Sequence, residues 1–232
     1  MPQNWDVRSR LLAAAFLALL GALAALKMGI SVDNDLFWQL KDGERVVREH
    51  RFPVVEDFSF PASGRPMVAI EWGAETVSYL VFQLGGYPVL AAFNALLFTA
   101  VFALLLLLLR RRLPLFESLC LLALAAFAFL NYYGARAQNW TFLLTALFLY
   151  WAALWEDGRA WVPWAMAAAL LPWANMHSGF MVGVVILGLL CLRRAWESRR
   201  LADLAPLGLG LLLCCVHPNG HNAVVYPLWF MA

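Results

Sequence analysis

Asp33 and Asp35, one residue apart, stand just past the first long apolar run of this 232-residue chain. Two carboxylates that close at a membrane surface can share a divalent cation, or divide into a general base and an electrostatic partner. Asp35 also has a purely structural reading, as the cap of a helix beginning at Leu36, which leaves Asp33 unemployed. Glu71-Trp72 follows. A tryptophan beside an acid can stack on a sugar face while the acid takes its hydroxyls, although interfacial tryptophans also serve as membrane-belt residues. Arg136, in Ala135-Arg136-Ala137-Gln138-Asn139-Trp140, offers the planar fork that suits a phosphate. Its structural alternative is snorkelling to lipid headgroups. Asn175 and His177 share a further connection. A lone histidine in such a place is more often a hydrogen-bonded structural residue than a ligand. His217 and His221 have i,i+4 spacing, but Pro218 and Gly220 argue against a regular helix and the glutamate of a zinc-protease motif is missing. The chain has no phosphate-binding glycine loop, nucleophile elbow or dinucleotide fingerprint.

The elements that must position these groups are apolar. The composition is 63% hydrophobic and 14% charged, against roughly 45–50% and about 25% in soluble domains. A water-soluble core cannot hide that excess, so the reading is an integral membrane protein. The net charge of +2 comes from basic residues at span ends and not from a groove, which argues against nucleic acid as a partner. Leu11–Ile30, Val89–Leu109, Leu115–Tyr133 and Trp140–Trp155 read as spans. Trp161–Trp173, Gly179–Leu192 and Leu201–Val216 are shorter or interrupted by prolines and glycines, giving about seven spans in all.

Arg8, Arg10, Arg110, Arg111, Arg112, Arg159, Arg193, Arg194, Arg199 and Arg200 fall at the N-terminus and on alternate connections. The opposite short connections carry only Arg136. The positive-inside rule therefore puts the N-terminus in the cytoplasm and the chemistry-bearing residues outside. The first run, behind Arg8 and Arg10, can also be read as a signal peptide with a weak cleavage site at Ala22-Leu23-Ala24, but a multispanning remainder favours an uncleaved helix. Cys120, Cys191, Cys214 and Cys215 sit in apolar runs without metal-ligand spacing and read as small core residues.

The connection 31–88 is the one sizeable polar piece. Leu36–His50 reads as an amphipathic interfacial helix, with Leu36, Leu40 and Val47 on one face and a Glu44–Arg48 pair on the other. Pro53, Pro61, Gly64 and Pro66 predict turns, and Ile70–Leu84 a second short helix leading into the next span.

In order and spacing these motifs resemble bacterial polytopic proteins related to the GT-C glycosyltransferases, the superfamily of protein O-mannosyltransferases and lipid A aminoarabinose transferases. The matching stretches are Asp33-x-Asp35-x-x-Trp38-x-Leu40-x-x-Gly43, Pro53 with Asp57 and Ser59-Phe60, and Glu71-Trp72. They continue with Ala135-Arg136-x-Gln138, Trp173-x-Asn175-x-His177-x-Gly179-Phe180, and Pro218-x-Gly220 followed by Tyr226-Pro227. Ala137, Ser178, His217 and Gly73-Ala74 depart from the usual residues of the group.

The resemblance implies an all-α polytopic membrane protein. Residues 1–232 would form a single GT-C-like module, the N-terminal part of a longer family architecture, with 31–88 as its first extracytoplasmic loop. It would lie in the bacterial inner membrane and move a sugar from a polyprenyl-phosphate donor to an unidentified acceptor on the outer face. Asp33 or Asp35 would serve as base. Arg136 and His177 would hold the leaving phosphate, and Trp38, Glu71, Trp72, Gln138, Asn175, His217 and His221 would line the substrate. Donors of this kind generally need no metal at the transfer step, while Asp33 and Asp35 leave room for a divalent cation. Two other readings stay open: a transporter or lipid-binding protein using the same pocket without bond breaking, and a non-catalytic relic or fragment.

Overall fold

The computed structural model describes residues 5–30 and 34–230, so Asp33 lies outside the described residues. Those residues are helical, with a single isolated bridge between Val55 and Pro66 in place of any strand. The helices are α1 (Val7–Ile30), α2 (Leu36–Glu44), α3 (Trp72–Leu109), α4 (Leu115–Ala128), α5 (Gln138–Glu156), α6 (Val162–Met176), α7 (Phe180–Ser198), α8 (Ala205–Cys214) and α9 (Asn222–Phe230). Leu- and Ala-rich runs of high helix propensity build them. Proline marks their starts: Pro163 and Pro206 occupy the first turns of α6 and α8, where a missing N–H costs nothing.

Several boundaries differ from the sequence expectations for local reasons. The helix expected over Leu36–His50 changes at Arg45 into a π-helical turn, Arg45–Glu49, and ends on His50 in the left-handed conformation. By contrast, the helix expected over Ile70–Leu84 and the span expected from Val89 meet within α3 with a break between them where expected, at Gly85-Gly86. Gly86 has φ +70°, which a side chain would resist, and Pro88 restarts the helix just beyond. The span expected to reach Tyr133 stops at Ala128 and finishes as a 3-10 turn, Leu130–Tyr132.

Among the described residues, α1 and α3 are the two helices long and apolar enough to cross a membrane. The helices that follow, α4 to α8, have 14, 19, 15, 19 and 10 residues. Of the four cysteines, Cys191 and Cys214 are buried, whereas Cys120 and Cys215 are exposed. An apolar run wound into a helix has an outward face, so the core reading holds for half of them.

The central element is α3, which packs on α1, α2, α4, α5 and α6. One apolar cluster joins α1, α3 and α4 around Met28, Phe98, Phe102 and Leu122. Another joins α5 to α8 around Phe148, Met166, Trp173 and Leu187. The two ends of the bundle differ. Trp5 stacks under Arg110, Arg111 pairs with Asp157, and Arg193 pairs with Glu156, so the arginine-bearing connections gather at one end. The remaining connections gather at the other, where Tyr87 donates to the carbonyl of Met28 and Leu36 packs with Leu90 and Ala135.

Candidate functional site

That second end holds a cavity of about 320 Å³ lined by Asp35, Trp38, Gln39, Glu71, Glu75, Arg136, Gln138, His177 and Tyr226, with Pro53, residues 67–70 and Ala137 completing its walls. Residues more than a hundred positions apart in sequence therefore face one space.

Each wall is held from behind. Asp35 occupies the N-cap position of α2 without making a cap hydrogen bond, so the capping reading is corrected; its carboxylate accepts from Trp38 Nε1 at 3.3 Å. One turn further on, Gln39 is buried and donates to Glu71 Oε2 at 3.3 Å. Deeper still, Asp42 is 1% exposed and takes Arg45 Nη1 at 2.9 Å. Arg45 reaches on to Asp57 at 2.8 Å and lies over Phe58, tying α2 to the 51–67 loop. Arg136 and Gln138 open α5, whose start is fixed by a buried clasp. Asn139 Nδ2 donates to Asn94 Oδ1 and to the Gly134 carbonyl, both at 2.8 Å, which binds the Arg136 turn to α3.

His177 is the most constrained group. The Gly179 N–H donates to its Nδ1 at 2.9 Å, and Thr141 Oγ1 lies 3.0 Å from the same nitrogen, itself receiving Trp173 Nε1 at 3.2 Å. A nitrogen that accepts an N–H carries no proton, so the proton sits on Nε2. Nε2 is 3.3 Å from Glu71 Oε1. The contact is therefore a neutral imidazole donating to a carboxyl group. An imidazolium would place a donor against the Gly179 N–H. Burial acts in the same direction and holds the His177 pKa down to about 4. In this state His177 can meet a phosphate only as a neutral hydrogen-bond donor and not as a cation.

Glu71 lies between these donors. Burial, reinforced by Asp35, pushes its pKa up to about 7 against the pull of Gln39 and Arg136. The carboxyl is thus poised to hold or release a proton near neutrality. Among the described residues no group of three or more His, Cys, Asp or Glu side chains gathers as metal ligands.

The other expected site residues stand behind or outside the cavity. Trp72 Nε1 donates to Asn175 Oδ1 at 2.8 Å, and Asn175 Nδ2 donates to the carbonyls of Leu171 and Val216 at 2.9 and 3.0 Å. Phe52 meets the Trp72 ring edge-on at 5.0 Å. These groups join α3, α6 and the segment after α8; they do not line the cavity. His217 Nδ1 accepts the Asn219 N–H at 3.1 Å, and Asn219 Oδ1 accepts the Ala69 N–H at 3.0 Å, so that turn braces a cavity wall. His221 is exposed and lies outside; Gly220, at φ +54°, breaks any helical register between the two histidines, as Pro218 and Gly220 led us to expect.

Gln39, Glu75 and Thr141 were missed in the sequence reading. Gln39 and Glu75 each follow a recognised acid by four residues, the spacing that returns a side chain to the same helix face. Thr141 carries no such signal.

An apolar cleft of about 360 Å³ lies on the other side of Thr141, between α3, α4, α5 and α7, lined by Phe98, Phe102, Phe129, Phe142 and Leu149 among others. Thr141 thus borders the cleft while its hydroxyl bonds His177 of the polar cavity. In comparisons with known proteins, no family model, no curated protein and no solved structure matches the chain.

Proposed function

We propose that the chain is a multi-pass membrane protein of GT-C-like type that transfers a sugar from a polyprenyl-phosphate donor to an acceptor, with its N-terminus in the cytoplasm and its polar cavity facing outward from a bacterial inner membrane. One observation carries the reading: Arg136 faces the same cavity as Asp35, Glu71 and Gln138, at the end of the bundle away from the paired arginines. A single guanidinium among carboxyl groups suits a ligand with one anionic point and several hydroxyls, which describes a sugar phosphate. The N-terminal end of α5 adds a dipole that favours the anion. The adjoining apolar cleft supplies a surface for a prenyl chain, and exposed apolar residues such as Leu19, Leu26, Leu96, Phe127, Val185 and Leu189 form an outer face suited to lipid. In this reading the phosphate rests at Arg136, the sugar projects toward Glu71 and Asp35, and Trp72 and Asn175 hold the helices that aim them.

The test is binding of radiolabelled polyprenyl phosphate to the detergent-solubilised full chain. Removing a charge-assisted contact costs about 1.5–3 kcal/mol, so Arg136→Ala should weaken binding by roughly 10- to 100-fold. Arg136→Lys keeps the charge and loses the fork, and should fall between. Parental affinity in Arg136→Ala would assign the arginine to headgroup snorkelling and remove the donor site.

A further inference from the structure

The cavity holds more than one carboxyl group able to take a proton from an acceptor hydroxyl, and the geometry separates them. Asp35 is exposed at the start of α2. Glu71 is recessed, its side chain 17% exposed, and both of its oxygens are aimed: Oε1 by His177 Nε2 and Oε2 by Gln39 Nε2, each at 3.3 Å. Both donors are neutral, so they orient the carboxylate without discharging it. The remaining lone pairs of the two oxygens are left for the cavity that Glu71 lines.

We propose that Glu71, aimed by Gln39 and by the tautomer-locked His177, is the general base of the site, with His177 a positioning residue and not a phosphate ligand. The inference rests on the transfer reading above and assigns its proton-accepting step. In that step the acceptor O–H gives its proton to a Glu71 oxygen while the acceptor oxygen bonds to the anomeric carbon. The bond from that carbon to the phosphate oxygen breaks, and its electron pair leaves with the phosphate at Arg136. Atoms and charge balance without any further reagent.

The charged and titratable groups that face Glu71 set its behaviour. Asp35 comes from the start of α2, Arg136 from the turn before α5, His177 from the turn between α6 and α7, Tyr226 from α9, and Glu75 from the next turn of its own helix. Asp42, from α2, lies behind Glu75. Asp35 raises the pKa of Glu71, and the Gln39 donor and Arg136 lower it. A base of this kind needs its proton off, so turnover should rise with pH along a limb centred near 7. Losing a donor to the carboxylate favours the protonated form, so His177→Leu should move that limb to higher pH. Losing a like charge does the opposite, so Asp35→Asn should move it to lower pH. A merely structural role for His177 would lower activity without moving the limb.

The experiment follows release of labelled sugar from polyprenyl phosphomannose and polyprenyl phosphoglucose in membranes containing the full chain, with chain content measured in every sample. Glu71→Gln should lose about 10²- to 10⁴-fold in kcat, the usual contribution of a positioned base, with the donor KM close to parental. Glu71→Asp, which keeps the carboxyl but draws it back from both donors, should retain the pH limb at an intermediate rate. His177→Gln, which restores an N–H donor, should return the limb toward its parental position. Parental turnover in Glu71→Gln, or a limb unmoved in both His177→Leu and Asp35→Asn, would overturn the assignment while the transfer reading stands. A parental chain that releases sugar from neither donor overturns the transfer reading, and this assignment with it.

Discussion

The two ends of the bundle solve opposite electrostatic problems. At the arginine end, Arg111 with Asp157 and Arg193 with Glu156 are pairs at the surface, each charge beside its opposite. At the cavity end, Asp35, Glu71 and Glu75 share one space with Arg136, and Glu75 is 4% exposed. Surface pairs of the first kind contribute roughly 0–1 kcal/mol. Asp35 and Arg136 stay exposed, but the recessed carboxyl groups of Glu71 and Glu75 are costly unless hydrogen-bonded or neutralised, and such a cost persists where a site needs it. The same residue types therefore mean different things at the two ends, and burial makes the difference.

The sharpest break of that comparison is a pH titration of stability. Glu71 is raised from 4.5 to about 7, and His177 is lowered from 6.5 to about 4. A raised acid favours the folded state at low pH, and that contribution is lost as pH climbs from about 4.5 through 7. A lowered histidine works the other way: its contribution is complete above 6.5 and is lost as pH falls toward 4. Between about 4.5 and 6.5 folded and unfolded states then bind the same number of protons at these two sites, the folded state on Glu71 and the unfolded state on histidine. The parental chain should show a flat stability profile across that window from this pair. Glu71→Gln should expose the histidine slope, with stability falling on acidification. His177→Gln should expose the opposite slope, with stability falling as pH rises. Each slope should amount to on the order of 2–3 kcal/mol over its window, read as the shift of the thermal midpoint in detergent. Matching flat profiles in all three chains would put Glu71 and His177 in the same category as the surface pairs.

Next in size is the bracing behind the cavity. Asn175 receives Trp72 and donates to Leu171 and Val216, three hydrogen bonds that no other side chain replaces. Asn175→Ala should cost about 2 kcal/mol, since the indole N–H of Trp72 loses its acceptor in a half-buried setting. The thermal midpoint should fall accordingly, with the donor site weakened only secondarily. A neutral result would mean that α3 and α6 are joined by apolar packing alone.

This network also shows what was legible in advance. Asn175, Trp72 and His217 stood out as polar residues on the right connections, but sequence distance cannot tell a lining residue from one standing a layer behind. His177 was legible as a residue of interest; its protonation state was not, because that state depends on the Gly179 N–H and on Thr141, a residue with no chemical signal in a row of apolar neighbours. The break at Gly85-Gly86 with Pro88 was readable from turn chemistry alone. The i,i+4 spacing of His217 and His221 was rightly discounted on Pro218 and Gly220, since Gly220 takes a left-handed conformation and no helix covers the pair. Helical spacing correctly paired Glu44 with Arg48, which meet at 3.3 Å, but it went unused from Asp35 to Gln39 and from Glu71 to Glu75, where it marks lining residues.

The smallest effect belongs to the arginine end and sets the floor for the comparison. Arg193 reaches Glu156 at 3.2 Å and Glu197 at 3.6 Å, and all three side chains are more than half exposed. Two partners for one guanidinium lessen the consequence of losing either contact, and water screens both. Arg193→Gln should change stability by no more than about 0.5 kcal/mol, with the difference shrinking further as salt rises. The same substitution should leave polyprenyl phosphate binding at the parental level, because the residue lies at the end of the bundle opposite the cavity. A loss as large as that of Asn175→Ala would show that the two ends are not divided by burial, and that the arginine end holds the fold as firmly as the bracing behind the cavity.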